Sequence, residues 1–282
     1  MGAAKGLTMT KTPPTQQELW NNRTGEKWVA FQPELDVMLA NVTTRLMARA
    51  AIQPGERVLD IGCGTGQSCA LALEQGATVT GVDVSGPMLK LAAKRLGERA
   101  TLCLADAGQW VADKPFDIAL SRFGVMFFDD PVAAMTRIRG NLKPGGRLVF
   151  CCWQAMALND WANVPAQAIA DLLDPAPPSD PLTPGPFAFA DDERLHLILA
   201  AAGYTNIEIL PLTVDIVLTD QGGPDRAARL TAQIGPAAAA MAAWDEARKA
   251  TAFAHIRDAI AARCNADRVV LSGAIWLVRA QA

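Results

Sequence analysis

Histidine and tyrosine are nearly missing from this chain of 282 residues, which holds two His (His196 and His255) and one Tyr (Tyr204). Those side chains carry much of biological acid–base and metal chemistry, so a His-centred triad or a His-rich metal site is all but excluded. The six cysteines (Cys63, Cys69, Cys103, Cys151, Cys152 and Cys264) show no metal-ligand spacing. They read as reduced thiols, several within apolar segments, of a cytoplasmic protein without a bound metal. A phosphate-binding loop with its lysine is lacking, as is an apolar run of about 18 residues that would cross a bilayer. The leader MGAAKGLTMTKTPP has no apolar signal region, and Gly6 stands where a myristoylation motif wants Ser or Thr, so no stable membrane insertion is expected. Met9 provides an alternative start, which leaves open whether residues 1–8 are native. Excess charge is also lacking: 26 Lys and Arg face 29 Asp and Glu, for a net charge of −3, and the basic residues are scattered. That distribution argues against nucleic acid and anionic lipid and for a small-molecule partner, with a monomer or a homodimer equally open.

What the chain does have is apolar content, 50% of residues, enough for one sizeable core with insertions. One stretch dictates a chemistry: Arg57 to Gly66, RVLDIGCGTG. Val58, Leu59 and Ile61 suit a strand buried on both faces, and Gly62, Gly64 and Gly66 remove side chains where the chain must bend and a ligand must approach the backbone. From Gln67 the Ala- and Leu-rich sequence predicts a helix, whose free N–H groups and positive dipole end would face that ligand. A dinucleotide turn is spaced G-x-G-x-x-G, whereas this one runs G-x-G-x-G after Asp60, which disfavours a nicotinamide-dependent oxidoreductase. About 20 residues on, VTGVDVS places Asp83 at the end of a second predicted strand, where a carboxylate can accept both hydroxyls of a ribose. Its other role would be to cap the helix GPMLKLAAKRL.

The D-x-G-x-G-x-G pattern resembles motif I of class I S-adenosylmethionine-dependent methyltransferases, and the chain is similar to their UbiE-like, small-molecule group. The resemblance implies a Rossmann-like α/β fold: a seven-stranded, mostly parallel sheet with helices on both faces, an N-terminal leader and helical lid over residues 1–50, and a methyltransferase domain over 51–282. It implies S-adenosylmethionine as cofactor, S-adenosylhomocysteine as product, and cofactor contacts at Asp60, Gly62, Cys63, Gly64, Gly66, Asp83 and Val84. Met88 would pack on the adenine face, and Asp106 with the backbone of Ala107 would read the adenine edge. Ser121 and Arg122, at the end of a strand over Asp117 to Leu120, would face the methionine portion, although Arg122 could instead pair with Asp129 or Asp130. The turn in KPGGRLVFCCW also recurs in this family.

Elsewhere the reading rests on pattern. Helical spacing runs from Leu35 through Met38, Leu39, Val42 and Leu46 to Ala50, stopped by Pro54-Gly55. Residues 154–190 are expected to form a substrate loop, irregular where DPAPPSDPLTPGPFAF is Pro-rich, and an Ala-rich helical cap is expected over about 219–267. Gly203 should close the helix begun at Asp191 or Asp192. Trp20, Trp28, Phe123, Trp153, Trp161 and Phe187 are the predicted walls of the acceptor pocket, with Phe31, Gln32, Phe189, Met241, Trp244 and Phe253 nearby in the same segments. Such a chamber suits an uncharged aromatic or prenyl-like acceptor. The sulfonium methyl is already activated, so in-line placement near 3 Å and exclusion of water are the main demands. A general base is needed only for an acceptor that must lose a proton, and Arg122 and His196 are the candidates. A catalytically silent, cofactor-binding regulatory protein would carry the same motifs.

Overall fold

The computed structural model describes residues 15–175 and 182–282. In chain order the helices and strands are α1 (Gln16–Asn21), α2 (Arg23–Ala30), α3 (Gln32–Met38), α4 (Ala40–Ala50), β1 (Arg57–Ile61), α5 (Gln67–Glu74), β2 (Thr78–Asp83), α6 (Gly86–Leu96), β3 (Ala100–Leu104) and β4 (Phe116–Arg122). There follow α7 (Pro131–Gly140), β5 (Leu142–Trp153), α8 (Asp160–Ala168), α9 (Asp192–Ala201), β6 (Thr205–Thr219), α10 (Gly223–Thr231), α11 (Pro236–Ala240), α12 (Glu246–Arg263) and β7 (Val269–Gln281).

Short apolar strands alternating with amphipathic helices force a parallel sheet with crossovers on its faces. The seven strands lie in the order β3-β2-β1-β4-β5-β7-β6. The first five are mutually parallel, and β7 runs antiparallel to both β5 and β6. The chain moves outward from β1 to β3, then returns to β4 on the other side of β1. That reversal opens a crevice beyond the carboxyl ends of β1 and β4. Phe116, Ile118, Leu120, Leu148 and Phe150 are fully buried on the central strands and fix the sheet against its helices. The outer half of β6 pairs Thr213 to Thr219 with Ala274 to Val269, and α10, α11 and α12 are inserted at the end of this ribbon.

Two expectations are corrected. The helix predicted over Leu35 to Ala50 is broken at Leu39, whose ψ of 7° ends α3 before α4 begins. Beyond the break α3 packs on β6, while α4 lies across β4, β5, β7 and β6. The segment 154–190 is not wholly a loop. It contains α8, whose Trp161, Ala162, Val164 and Pro165 are buried against the helices of the 223–263 insertion. Asn159 anchors that helix: its side-chain N–H donates to the carbonyls of Gln154 (3.1 Å) and Ala155 (3.0 Å), and its Oδ1 accepts from Ala274 N (2.8 Å) and Trp161 Nε1 (3.2 Å). This burial and anchoring offset the hydrogen bond that Pro165 removes from the helix interior. Pro177, Pro178 and Pro181 of the predicted Pro-rich loop lie outside the described residues. Among the described residues no helix is long and apolar enough to cross a membrane.

Candidate active site

A cavity of about 800 Å³ occupies the crevice at the reversal point. Its floor is the turn after β1. A Cβ on Gly62 would lie 2.8 Å from Gly124 Cα, so the turns after β1 and β4 meet only because the side chain is absent. A Cβ on Gly66 would strike Leu96 Cδ1 at 2.9 Å, so that glycine permits α5 to dock on α6. Gly62, Cys63, Gly64 and Thr65 line the cavity, whereas Gly66 stands behind it.

Asp60 also lies behind the wall. It is fully buried; its Oδ2 accepts from Ser68 Oγ (2.5 Å) and Cys69 Sγ (3.1 Å), and Oδ1 has no partner. Burial pushes its carboxyl up to about 6, against the pull of the Ser68 and Cys69 bonds. Ser121 is fully buried too. Its hydroxyl donates to Ile61 O (2.7 Å) and accepts from Gly124 N (3.1 Å), tying the end of β1 to the turn after β4 without reaching the cavity. Asp60, Gly66 and Ser121 therefore hold the floor in shape rather than touch what sits on it.

One end of the cavity is polar. Asp83 closes β2 and accepts from Gly64 N (2.7 Å) and Ser85 N (2.8 Å), so its carboxylate is fixed beside the glycine turn. Burial raises its pKa against those bonds. The helix-cap alternative for Asp83 is not what the chain adopts: the side chain of Ser85 caps α6, accepting from Met88 N. Val84, Met88, Asp106 and Ala107 line the same end. Asp106 is exposed at the rim, where its Oδ1 accepts from Gly108 N (2.8 Å) and shapes the turn after β3.

The other end is aromatic. Phe123 has a φ of 65°, uncommon for a residue with a Cβ, and its ring stacks on Trp153 at 4.1 Å and 12°. Trp153 in turn packs on Trp161 at 4.8 Å, and Met156, Phe187 and Pro236 extend the wall. Over the opening lie α1 and α2. Trp20 meets Trp28 and Phe127 edge-on at 5.7 and 5.3 Å. The Trp20 carbonyl accepts from Ser85 Oγ (2.8 Å), and the Asn21 side chain both donates to Val84 O (2.7 Å) and accepts from Gly86 N (2.9 Å). Asn21 is the positioning residue that sequence reading missed, since an Asn in a polar leader carries no signal of a partner 63 residues away.

Arg122 ends β4 and lines the cavity near the glycine turn. It pairs with neither Asp129, which is exposed, nor Asp130, which caps α7 through Ala133 N (3.0 Å). Instead its Nη1 donates to Thr43 Oγ1 (2.8 Å) and to Gln67 Oε1. His196 is exposed on α9 and outside the cavity wall, so as a candidate base it falls away. Phe189 is buried outside the cavity, Trp244 lies under Arg248 and Phe253 under Arg229, and Met241 is buried away from the wall. The insertion reaches the cavity through Gly235, Pro236 and Ala239 instead.

A methyltransferase-domain family model matches residues 59–150, the span from β1 through most of β5. A demethylmenaquinone methyltransferase of Clavibacter sepedonicus is 31% identical over 191 residues, covering 64% of this chain and 77% of that protein. Among solved structures, a Haemonchus contortus phosphoethanolamine N-methyltransferase bound to S-adenosyl-L-methionine superposes with a TM-score of 0.54 at 17% identity, covering 96% of this chain and 61% of that one. The [4+2]-cyclase SpnF gives 0.55 at 21% identity over 95% and 97%, so likeness of fold alone does not name a reaction. Relationship in sequence does: the chain belongs to the class I S-adenosylmethionine-dependent methyltransferases, in their UbiE-like group.

Proposed function

We propose that this methyltransferase alkylates a small, apolar acceptor, aromatic or prenyl-like, by direct in-line displacement. The observation that carries the proposal is the division of one cavity of about 800 Å³ into a polar end around Asp83 and Asp106 and an aromatic end around Phe123, Trp153, Trp161 and Phe187. The polar end suits S-adenosylmethionine on its own chemistry. Asp83 is held in place by two backbone donors and faces the cavity, as a receptor for ribose hydroxyls must. The Gly64 backbone presents no side chain to the ligand; a Cβ there would have Met88 Sδ as its neighbour at 3.8 Å. Met88 and Ala107 would flank the adenine, and Asp106 would accept from its amino group.

The cofactor supplies a methyl group already activated by a sulfonium charge, so the protein's work is orientation and exclusion of water. Phe123, stacked on Trp153, gives a flat apolar wall against which a planar acceptor can lie. Trp20 and Trp28 close the side that faces solvent. Relatives named demethylmenaquinone methyltransferases support a quinone-like acceptor for this aromatic end. Incubating the enzyme with methyl-labelled cofactor and a panel of hydroquinones, prenylated phenols, amines and polar acids, followed by mass spectrometry, tests the reading. Label is expected on the apolar phenolic members; label confined to the amines or polar acids would overturn it.

A further inference from the structure

The aromatic wall of the cavity contains one side-chain donor that the protein leaves unused. Trp153, the last residue of β5, is only 4% exposed and lines the cavity. Among the described residues its Nε1–H donates to nothing, yet Nε1 is not a sealed orphan, so the donor opens onto the cavity. The orientation of the ring agrees. Cζ3, the indole atom farthest from Nε1, is turned to β7, where a Cβ on Gly273 would come within 3.3 Å of it, so the N–H edge points away from that strand. Phe123 stacked at 4.1 Å and Trp161 packed at 4.8 Å hold the ring in this pose. Trp161 cannot take the same part, because its own Nε1 is spent on Asn159 Oδ1 (3.2 Å). The side chains of Phe123, Met156, Phe187 and Pro236, which complete the wall, have no N–H or O–H to offer.

An indole N–H donates and cannot accept, and a buried donor without a partner is unfavourable. A planar ligand lying in the aromatic end therefore gains by placing an oxygen lone pair at that N–H. A protonated amine would meet it with like polarity, and a bare hydrocarbon or prenyl chain would leave it unmatched. We propose that Trp153 selects the acceptor by donating Nε1–H to an oxygen carried on the acceptor's ring, so that the acceptor class is a planar aryl oxygen compound, a phenol or a ring ketone. Trp153 is then the residue that determines specificity, and Phe123, Trp161 and Gly273 position it. The inference rests on the apolar-acceptor reading above and narrows it, and it does not depend on the cofactor contacts.

Calorimetric titration of the chain saturated with S-adenosylhomocysteine tests this with two probes, 1-naphthol and naphthalene, which share a ring system and differ by one oxygen. The wild-type chain is expected to favour 1-naphthol roughly 3- to 10-fold, the range of a neutral hydrogen bond. Trp153→Phe keeps an aromatic side chain and removes the N–H. The ratio of the two affinities should then fall to within about twofold of one, whatever stacking both probes lose together. Trp161→Phe, which removes an N–H already spent on Asn159, should shift both probes alike and leave the ratio at its wild-type value. A ratio near one in the wild-type chain, or a ratio unchanged by Trp153→Phe, would overturn the inference. A ratio that falls equally in both variants would overturn it too, because a general loosening of the wall would explain it. If neither probe binds the wild-type chain, the apolar-acceptor reading itself fails and takes this inference with it, whereas binding of both with an unchanged ratio fails the inference alone. Should Trp153→Phe not fold, benzothienylalanine at position 153, which puts sulfur in place of the N–H at the same ring shape, makes the same comparison.

Discussion

Asp60 shows how a residue can be legible and its role still hidden. Its place before the glycine turn marks the motif, but only burial reveals that it braces Ser68 and Cys69 from behind the cavity. Its carboxyl titrates at about 6, against an ordinary value of 3.8. Between those values the native state holds a proton that the unfolded chain has lost, so stability rises as pH falls through that window. Ionisation above it costs about 3 kcal/mol at roughly 1.4 kcal/mol per unit. Asp60→Asn keeps the shape and removes the titration. The melting temperature of the variant, measured against wild type, should therefore climb between about pH 4 and 6 and level off beyond; a flat or falling difference would contradict the assignment. Asp83 and Asp106 answer to ligand instead. Asp83→Ala should weaken S-adenosylhomocysteine about 10- to 100-fold by calorimetry, the loss of one or more charge-assisted bonds. Asp106→Ala should weaken it less, because Asp106 sits at the exposed rim. Wild-type affinity in both folded variants would remove the ribose and adenine contacts from this end of the cavity.

At the scale of elements, strands were legible where burial on both faces wrote a mostly apolar run, as in Val58, Leu59 and Ile61 around the buried Asp60. Junctions were not. The break at Leu39 and the formation of α8 depend on which neighbour each helix meets, and 3.6-residue spacing holds no record of that. The seating of the lid is of the same kind. α1 and α2 are joined tightly because Gly25 lacks a side chain: a Cβ there would sit 2.0 Å from Trp20 O and 2.7 Å from Ser85 Oγ. Gly25→Ala should therefore push α1 off the loop that follows Asp83, breaking the Ser85 and Asn21 bonds together. Hydrogen exchange is expected to quicken across Gln16–Ala30 while Ala40–Ala50 keeps its protection. Unchanged exchange in both segments would show that the lid is held by its aromatic contacts alone.

Across the whole molecule, one chamber is assembled from chain segments far apart in sequence: the lid, the turns after β1, β2 and β4, the end of β5, α8, and α11 of the insertion. The aromatic members that follow a strand end, Trp153 above all, could be placed from sequence because the end of a parallel strand has a fixed position in the fold. Those of the Ala-rich insertion could not, since helical spacing leaves undetermined which face turns inward, and Trp244 and Phe253 cover arginines rather than the chamber. The insertion meets the chamber with small residues. Gly235 lies against Trp161, where an added Cβ would be 3.3 Å from the indole, and Ala239 stands one turn further along. Small residues at that point leave the aromatic end open to an acceptor, while the polar end lies elsewhere in the same cavity. Ala239→Trp should fill the acceptor's approach without touching Asp83 or the glycine turn. Affinity for S-adenosylhomocysteine is expected to stay within about twofold of wild type while labelled methyl transfer to an apolar phenol falls at least tenfold, about 1.4 kcal/mol at the transition state. Turnover that survives the added indole would mean that the acceptor enters beneath the lid, past Trp20 and Trp28.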